Sequence, residues 1–205
     1  MLNGERILCQ LYLIRHGETE WSLSGQHTGR TDISLTTRGE AEARALQPLL
    51  GAITFTAVLT SPLQRARRTC ELTGLGATAD LESDLAEWDY GAYEGLRSRE
   101  IQQERPDWSV FRDGCPGGET PAQISARADR LIARLRSREG NIALFTHGHF
   151  GCALAARWIE LPVIEGQHLL LSTASISTLG AHPTHPEVPV ISVWNATAKS
   201  APRLA

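Results

Sequence analysis

Leu11-Tyr-Leu-Ile-Arg-His-Gly-Glu-Thr-Glu-Trp21 is the segment from which the rest of the chain can be interpreted. Its first four residues complete an apolar run, Ile7 to Ile14, whose length and composition predict a buried strand. The run stops at Arg15-His16-Gly17. In an open α/β sheet, ligands bind just beyond the carboxyl ends of the parallel strands, so Arg15 and His16 are predicted to face a site. Arg is a permanently charged fork of donors, and His is a nucleophile or a proton carrier. A surface turn that contains the same residues is the alternative that this segment alone leaves open.

Size and composition describe an ordinary globular protein. The chain has 205 residues, of which 41% are hydrophobic and 21% charged, which favours a single domain. A net charge of -3 argues against nucleic-acid binding through bulk charge, so an anion site must be a local basic cluster. We expect no membrane partner, because no apolar run approaches the length of a membrane span. The composition does not indicate an oligomeric state.

The cysteines and the N-terminus predict the compartment. Four cysteines are scattered without metal-ligand spacing, and reduced thiols in a cytoplasmic protein are their simplest explanation. The N-terminal residues lack the charged-then-apolar layout of a signal peptide.

Apolar strands alternate with helices along the chain. Strands are predicted at 7–14, 57–60, 141–146, 175–179 and 188–194. Helices are predicted from Thr37 to Gly51 with a weak point at Pro48, at 62–73, at 98–104, from Thr120 to Gly140, and from 148 to about 161. The segments 22–34 and 82–96 are predicted loops. This alternation predicts an α/β protein: one three-layer α/β/α sandwich with a mostly parallel sheet, a core at about 7–195 and a loose tail at 196–205.

Three segments have the sequence of a helix N-terminus. Thr37-Arg-Gly-Glu40 has the form of a capping box, and Ser61-Pro62 offers an N-cap followed by Pro at the first helical position. Thr120-Pro-Ala-Gln123 combines an N-cap, a Pro and a capping-box Gln. The apolar stripe after it predicts the buried face of a long helix at Ile124, Ala128, Leu131, Ile132 and Leu135.

Reactive residues follow three of the predicted strands. The first strand ends at Arg15-His16, the second leads to a helix with Arg65 in its first turn, and the later one ends at His147. Since parallel strands end at one edge, two His and two Arg converge there beside helix N-termini, which predicts a phosphate pocket. Taken singly, Arg65 is better explained as a solvated helix residue paired with Glu71 or Asp84, and the alternative for His147 is a helix cap.

The remaining histidines are assigned less specific places. His149, His168, His182 and His185 are best explained as ordinary structural or surface residues. His27 is left open, because it lies in the loop nearest the predicted site.

Five motifs in register resemble those of the histidine phosphatase superfamily, phosphoglycerate mutase-like branch. The resemblance runs from about Leu11 to about Trp158 and is very specific. Its motifs are Arg15-His16-Gly17-Glu18-Thr19, Ser61-Pro-Leu-Gln-Arg65-Ala66, Glu87-Trp-Asp-Tyr90-Gly91, Gly117-Gly-Glu-Thr120 and Thr146-His147-Gly148.

The resemblance implies a phosphohistidine mechanism. His16 is expected to attack phosphorus, Arg15 and Arg65 to clamp the phosphoryl oxygens, and His147 to support the transferring group. Glu87 is expected to protonate the leaving oxygen and then activate water, with Asp84 and Asp89 as alternatives. Further residues expected to contact phosphate or substrate are Ser22, Thr28, Gly29, Tyr90 and Gly148. No metal or cofactor is expected, because arginines supply the positive charge.

Two motif details favour hydrolysis over intramolecular transfer. Asp89 stands where the mutases carry a basic residue, and Ser22 stands where they carry Asn. The run from Thr19 to Asp32 is similar to sugar-phosphate and sedoheptulose-bisphosphate phosphatases, so a phosphatase acting on a small phosphorylated sugar is favoured. Mutase-type transfer is the first alternative. A non-catalytic phospholigand-binding protein is the second, against which the intact nucleophile and acid argue.

Overall fold

The structure, a computed structural model, describes residues 8–200. Six strands form one sheet in the order β3-β2-β4-β1-β5-β6. The first four strands along the chain pair in parallel, whereas β5 is antiparallel to both β1 and β6. The strands are β1 Cys9–Arg15, β2 Ala57–Thr60, β3 Ala79–Leu81, β4 Gly140–Thr146, β5 Ile176–His182 and β6 His185–Ala196. The predicted single α/β domain with a mostly parallel sheet is confirmed.

Eight α-helices connect and cover these strands in the described part of the chain. They are α1 Glu20–Ser24, α2 Thr37–Ala45, α3 Gln47–Leu50, α4 Gln64–Leu72, α5 Ser98–Glu104, α6 Val110–Asp113, α7 Pro121–Arg136 and α8 Gly148–Trp158. Short 3-10 turns lie at Gly76–Thr78, Ser83–Leu85, Gly91–Tyr93 and Val163–His168. Within residues 8–200, no helix is long and apolar enough to cross a membrane.

Strand β1 shows why the protein has three layers. Leu11 and Leu13 lie in a core cluster that includes residues of α7 and α8, whereas Tyr12 and Ile14 lie in another that includes residues of α3 and α4. Successive side chains of a strand point to opposite faces, so both faces of the sheet are covered. Burying each such Leu or Ile contributes roughly 1.5–3 kcal/mol, which holds the register of β1.

The long helix confirms its sequence pattern. Thr120 caps α7 by accepting from the Gln123 N–H, and the Gln123 side chain accepts from the Thr120 N–H in return. All five residues of the predicted apolar stripe are buried. Helix α5 has the predicted bounds, Ser98–Glu104.

Two other predicted caps are wrong. Thr36, and not Thr37, caps α2, and its hydroxyl accepts from the Gly39 N–H. Helix α4 begins at Gln64 after Leu63, so Ser61 does not cap its first residue. The Ser61 hydroxyl instead contacts the His147 ring, and a site contact has replaced a helix cap.

The predicted loop 22–34 also needs correction at its start. Residues of that loop belong to α1, where Thr19 and Ser22 form a capping box and Gly25, at φ 81°, ends the helix. Strand β6 ends at Ala196, the first residue of the predicted tail. Residues 201–205 of that tail and Ile7 of the first predicted strand lie outside the described residues. All four cysteines are free and buried.

Candidate active site

Three strand ends meet at one edge of the sheet, as the sequence predicts. Arg15 pairs with Thr146 across β1 and β4, and Thr60 pairs with Phe145 across β2 and β4. The residues that follow these strands are therefore neighbours. The rings of His16 and His147 have centroids 5.2 Å apart.

His16 is fixed through one ring nitrogen. Its Nδ1 lies 2.7 Å from the carbonyl oxygen of Gly17, and the side chain is buried. Burial, followed by the charges of Arg15 and Arg65, lowers the pKa of His16 well below its ordinary value of 6.5. Because a carbonyl only accepts, Nδ1 carries the hydrogen of the neutral ring, and Nε2 keeps a free lone pair.

Arg15 lies beside His16 with part of its guanidinium unused. One terminal nitrogen donates to the Leu171 carbonyl. The buried Nε has no hydrogen-bond partner among the described residues. The guanidinium lies against Gly148, where an added Cβ would be 3.3 Å from Cζ. A buried, unpartnered N–H is costly unless an acceptor binds there, and a phosphoryl oxygen is such an acceptor.

Arg65 is completely buried, with 0% of the residue exposed. Its NH2 donates to the Thr28 and Gly29 carbonyls, both at 2.9 Å, and its NH1 donates to the Thr31 carbonyl at 3.1 Å. Its Nε donates to Nδ1 of His147 at 3.1 Å. Four of the five N–H groups of Arg65 thus bind protein acceptors.

His147 links the ends of β2 and β4. Since its Nδ1 accepts from Arg65, its Nε2 carries the hydrogen and donates to the Ser61 hydroxyl at 2.7 Å. Burial, then the charge of Arg65, lowers the pKa of His147 well below 6.5. The ring is neutral and its orientation is fixed.

Glu87 closes the site at the N-terminus of α8. Its Oε1 accepts from the backbone N–H groups of Trp88 at 2.9 Å and Phe150 at 2.7 Å. Its Oε2 accepts from the N–H of His149 at 3.1 Å. Carboxylates are favoured at helix N-termini, where free N–H groups and the helix dipole attract them.

A cavity of about 310 Å³ opens beside these residues. Seven of the ten predicted site residues line it: Arg15, His16, Ser22, Thr28, Glu87, Tyr90 and Gly148. Arg65, His147 and Gly29 lie behind this lining. Gly29 has a positional reason for lacking a side chain, because a Cβ there would be 2.5 Å from the Trp88 carbonyl oxygen.

The model of the family described as histidine phosphatase superfamily (branch 1) matches residues 11–197 of the chain. The chain belongs to the histidine phosphatase superfamily. It is 42% identical to an acid phosphatase of Mycobacterium tuberculosis over 177 residues, 83% of this chain and 86% of that one. It is 38% identical to sedoheptulose 1,7-bisphosphatase of Saccharomyces cerevisiae, covering 74% of this chain and 68% of that one.

A mutase relative and a solved structure extend these similarities. A probable phosphoglycerate mutase GpmB of Salmonella choleraesuis is 31% identical, covering 84% of this chain and 85% of that one. The structure of the open reading frame Rv3214 from Mycobacterium tuberculosis superposes with a TM-score of 0.85 at 39% identity. That match covers 92% of this chain and 98% of the other.

The two aspartates predicted as alternatives to Glu87, Asp84 and Asp89, lie in different surroundings. Asp84 is held by Arg130 at 2.6 Å and Arg134 at 2.9 Å. Asp89 pairs with Arg30 at 2.8 Å. Neither aspartate lines the cavity, whereas Glu87 does. The carboxylate of Asp89, which stands where the mutases carry a basic residue, is thus paired with Arg30.

The contacts of Arg65 and His147 decide against the alternative explanations of these two residues. The Arg65 guanidinium donates to the His147 ring and to backbone carbonyls of residues 28–31, and not to Glu71 or Asp84. His147 precedes α8 without making a side-chain cap.

Arg127 of α7 holds the loop that carries Glu87. Its terminal nitrogens donate to the carbonyls of Asp84, Ala86 and Glu87 and to the Glu119 carboxylate. Its guanidinium also lies 4.2 Å from the centre of the Phe150 ring. The long helix therefore positions the loop that carries Glu87.

Several lining residues were not singled out from the sequence. His149 was assigned an ordinary structural place and His27 was left open, yet both line the cavity. Tyr90 Oη lies 2.5 Å from His149 Nδ1, and the Tyr90 and His27 ring centroids are 4.6 Å apart. His149 lies two residues after His147, which was the available signal. The other unpredicted lining residues are Trp21, Gly25, Gln26, Ser98, Cys152, Leu169, Leu170 and Leu171.

The predicted substrate-contacting hydroxyls already have local partners. The Ser22 hydroxyl accepts from the Thr19 N–H and donates to the Thr19 carbonyl. The Thr28 hydroxyl donates to the Gln26 carbonyl at 3.2 Å. Burial, then the charge of Glu87, raises the pKa of Tyr90 well above 10, so its hydroxyl is the donor to His149. Contacts of these groups with substrate stay predictions. Within residues 8–200, no group of three or more His, Cys, Asp or Glu could hold a metal ion.

Proposed function

We propose that this histidine phosphatase hydrolyses a small phosphorylated metabolite, a sugar phosphate, through a phosphohistidine on His16. The observation that carries the proposal is the state of His16: a neutral ring, fixed at Nδ1, with Nε2 free at the end of β1. A nucleophile needs that lone pair, and phosphoryl transfer depends mainly on positioning and charge stabilisation.

In the first step, His16 Nε2 bonds to phosphorus and the bond from phosphorus to the ester oxygen breaks. The leaving alkoxide takes its proton from the Glu87 carboxyl group. The free Nε–H of Arg15 and the remaining N–H of Arg65 stabilise the phosphoryl oxygens. The neutral His147 supports the transferring group from the end of β4, where Arg65 and Ser61 hold its ring.

In the second step, water attacks phosphorus and gives a proton to Glu87. The N–P bond breaks, its electron pair returns to Nε2, and inorganic phosphate leaves. Each step uses one carboxyl group in opposite directions, as acid and then as base.

A sugar phosphate is supported by the 38% identity to sedoheptulose 1,7-bisphosphatase. Mutase-type transfer is the second candidate, because a probable phosphoglycerate mutase is also a relative at 31% identity. Phosphate release measured beside an enolase-coupled assay separates the two. We expect phosphate release from sugar phosphates and little interconversion of phosphoglycerates. Mutase turnover that exceeds phosphate release would contradict the proposal.

Trapping the intermediate tests the mechanism directly. Labelled substrate, quenched rapidly in alkali to preserve phosphohistidine, is expected to leave label on His16. His16→Ala should abolish both the label and hydrolysis of p-nitrophenyl phosphate, whereas His168→Ala, a change at an exposed residue, should preserve both. Label on Ser61 or full activity of His16→Ala would refute the scheme. Because arginines supply the charge, added EDTA should leave the rate unchanged.

A further inference from the structure

A second cavity of about 270 Å³ adjoins the first. The two share His27, Ser98, His149, Leu169 and Leu170 in their linings, so they meet at this set of side chains. We call this set the shared wall. Ligand pockets commonly measure roughly 300–1,000 Å³, so each cavity alone is at or below the small end of that range.

Side chains that hydrogen-bond without charge line the second cavity. Gln102, Ser109 and Gln167 belong to it alone, and its buried apolar part consists of Trp108, Val110 and Phe111. Burial lowers the pKa of His27 and of His149 to about 4, so both imidazoles are neutral at physiological pH. A lining of amide, hydroxyl and neutral imidazole groups over aromatic rings suits a neutral, hydroxyl-bearing ligand.

One residue of the shared wall, Leu170, is apolar and yet largely exposed. The Leu170 residue is 78% exposed although it is apolar, and it lines both cavities. Its backbone is held instead, because Trp194 Nε1 donates to the Leu170 carbonyl at 2.7 Å. Two polar members of the shared wall also contact each other, because His27 Nε2 and the Ser98 hydroxyl lie 3.3 Å apart. The shared wall therefore offers both apolar and polar contacts to a ligand that spans the two cavities.

We propose that the second cavity is a subsite for the leaving group: an uncharged, multi-hydroxyl group, longer than one sugar ring, that crosses the shared wall from the phosphoryl site at His16. This inference rests on the proposed phosphatase function and adds the size and the chemical class of the leaving group. Its apolar faces would lie on Leu170 and Trp108, and its hydroxyls would meet Ser98, Gln102 and Gln167.

The test compares two esters that carry the same phosphate on leaving groups of different length. Glucose 6-phosphate places one ring beyond the phosphoryl site, and trehalose 6-phosphate places two. We expect kcat/KM to be higher for the disaccharide ester by about tenfold or more, the effect of one or two neutral hydrogen bonds.

Filling the second cavity should remove this preference. Gln167 is exposed and belongs only to the second cavity, so Gln167→Trp is expected to bring the two kcat/KM values together while p-nitrophenyl phosphate hydrolysis is unchanged. Gln102→Phe, from the other side of the cavity, is a second variant of the same kind. Gln103→Trp is the matched control, because Gln103 is exposed and lines neither cavity. Its preference should equal that of the wild type.

Two results would overturn the inference while the proposed function stands. One is an equal or lower kcat/KM for trehalose 6-phosphate in the wild type, and the other is a preference that survives both filled variants. Absence of His16-dependent hydrolysis of p-nitrophenyl phosphate would overturn the proposed function and this inference with it.

Discussion

Arg65 and Arg15 carry the same guanidinium group but differ in how many of its N–H groups are bound by protein acceptors. Arg65 contacts the carbonyls of Thr28, Gly29 and Thr31, so it fixes the loop over the site as well as the His147 ring. Arg15 uses one nitrogen on the Leu171 carbonyl and keeps Nε unpartnered. In the proposed mechanism Arg15 is thus the more available hydrogen-bond donor to the phosphoryl group. Arg65 orients the His147 ring, which supports that group.

Glu87 can be tested through the leaving group. A phenol with a low pKa leaves without a proton, whereas a sugar alkoxide needs one. Glu87→Gln should therefore slow phosphorylation of the enzyme by a sugar phosphate by about 10²–10⁴-fold, and by p-nitrophenyl phosphate far less. The phosphorylation step, measured by rapid quench, is the readout, because Glu87 also acts in the second step.

Asp84→Asn is the control for this prediction, since Asp84 is bound by Arg130 and Arg134 away from the cavity. It should change stability and not the ratio between the two substrates. The amide that Glu87→Gln introduces would also face three backbone N–H groups, so melting temperature is measured for both variants. Equal losses on both substrates would move the acid role away from Glu87.

The contact between α2 and the loop after His16 is made by two glycines. A Cβ on Gly17 would lie 2.3 Å from the Gly39 carbonyl oxygen, and one on Gly39 would lie 2.1 Å from the Glu18 carbonyl oxygen. The two backbones therefore touch without side chains between them. This contact places the first turn of α2 directly behind the nucleophile.

Gly39→Ala should destabilise the protein although it replaces Gly in a helix. Such a change in a helix interior normally stabilises by up to about 1 kcal/mol, but overpacking costs roughly 1–3 kcal/mol, and here the obstruction is backbone. We expect a lower free energy of unfolding in urea and a lower kcat/KM. Ala41→Gly, at an exposed position of α2, should cost about 1 kcal/mol and leave kcat/KM unchanged. A stabilised Gly39→Ala would show that the loop yields easily.

Local patterns predicted the elements whose signals are local. The Thr120 cap, the apolar stripe of α7 and the strand that ends at Arg15 all depend on residues a few positions apart. Ser61 was misassigned because its hydroxyl meets His147, 86 residues away. The second cavity was equally invisible, because α5, α6 and Val163–His168 form it together and no sequence pattern joins them. Contacts made only by the folded chain are what the sequence could not show.

The whole molecule carries four histidines that folding keeps neutral around one site. Burial lowers the pKa of His16 and His147 well below 6.5 and that of His27 and His149 to about 4. Arginine charges act in the same direction at His16, His147 and His149. In the unfolded chain each would titrate near 6.5. Above that pH neither state binds these protons, so they leave the free energy of unfolding independent of pH.

Between pH 6.5 and about 4 the unfolded chain binds protons that the folded protein does not. The free energy of unfolding should therefore fall as pH falls, by about 1.4 kcal/mol per pH unit for each such histidine. Below about 4, His27 and His149 bind protons in the folded state too, and their share of the slope ends. Urea unfolding at a series of pH values between about 7 and 4 measures this slope.

His149→Asn isolates one of the four contributions. Asn retains an acceptor for the Tyr90 hydroxyl but does not titrate, so the slope should decrease by about one proton. His168→Asn, a change at an exposed side chain, should leave the slope unchanged. Carboxylates titrate in the same window and remain in both variants, so the difference between the two slopes belongs to His149. An unchanged slope in His149→Asn would mean that this imidazole is already protonated in the folded protein, against the neutral wall that the proposed leaving-group subsite needs.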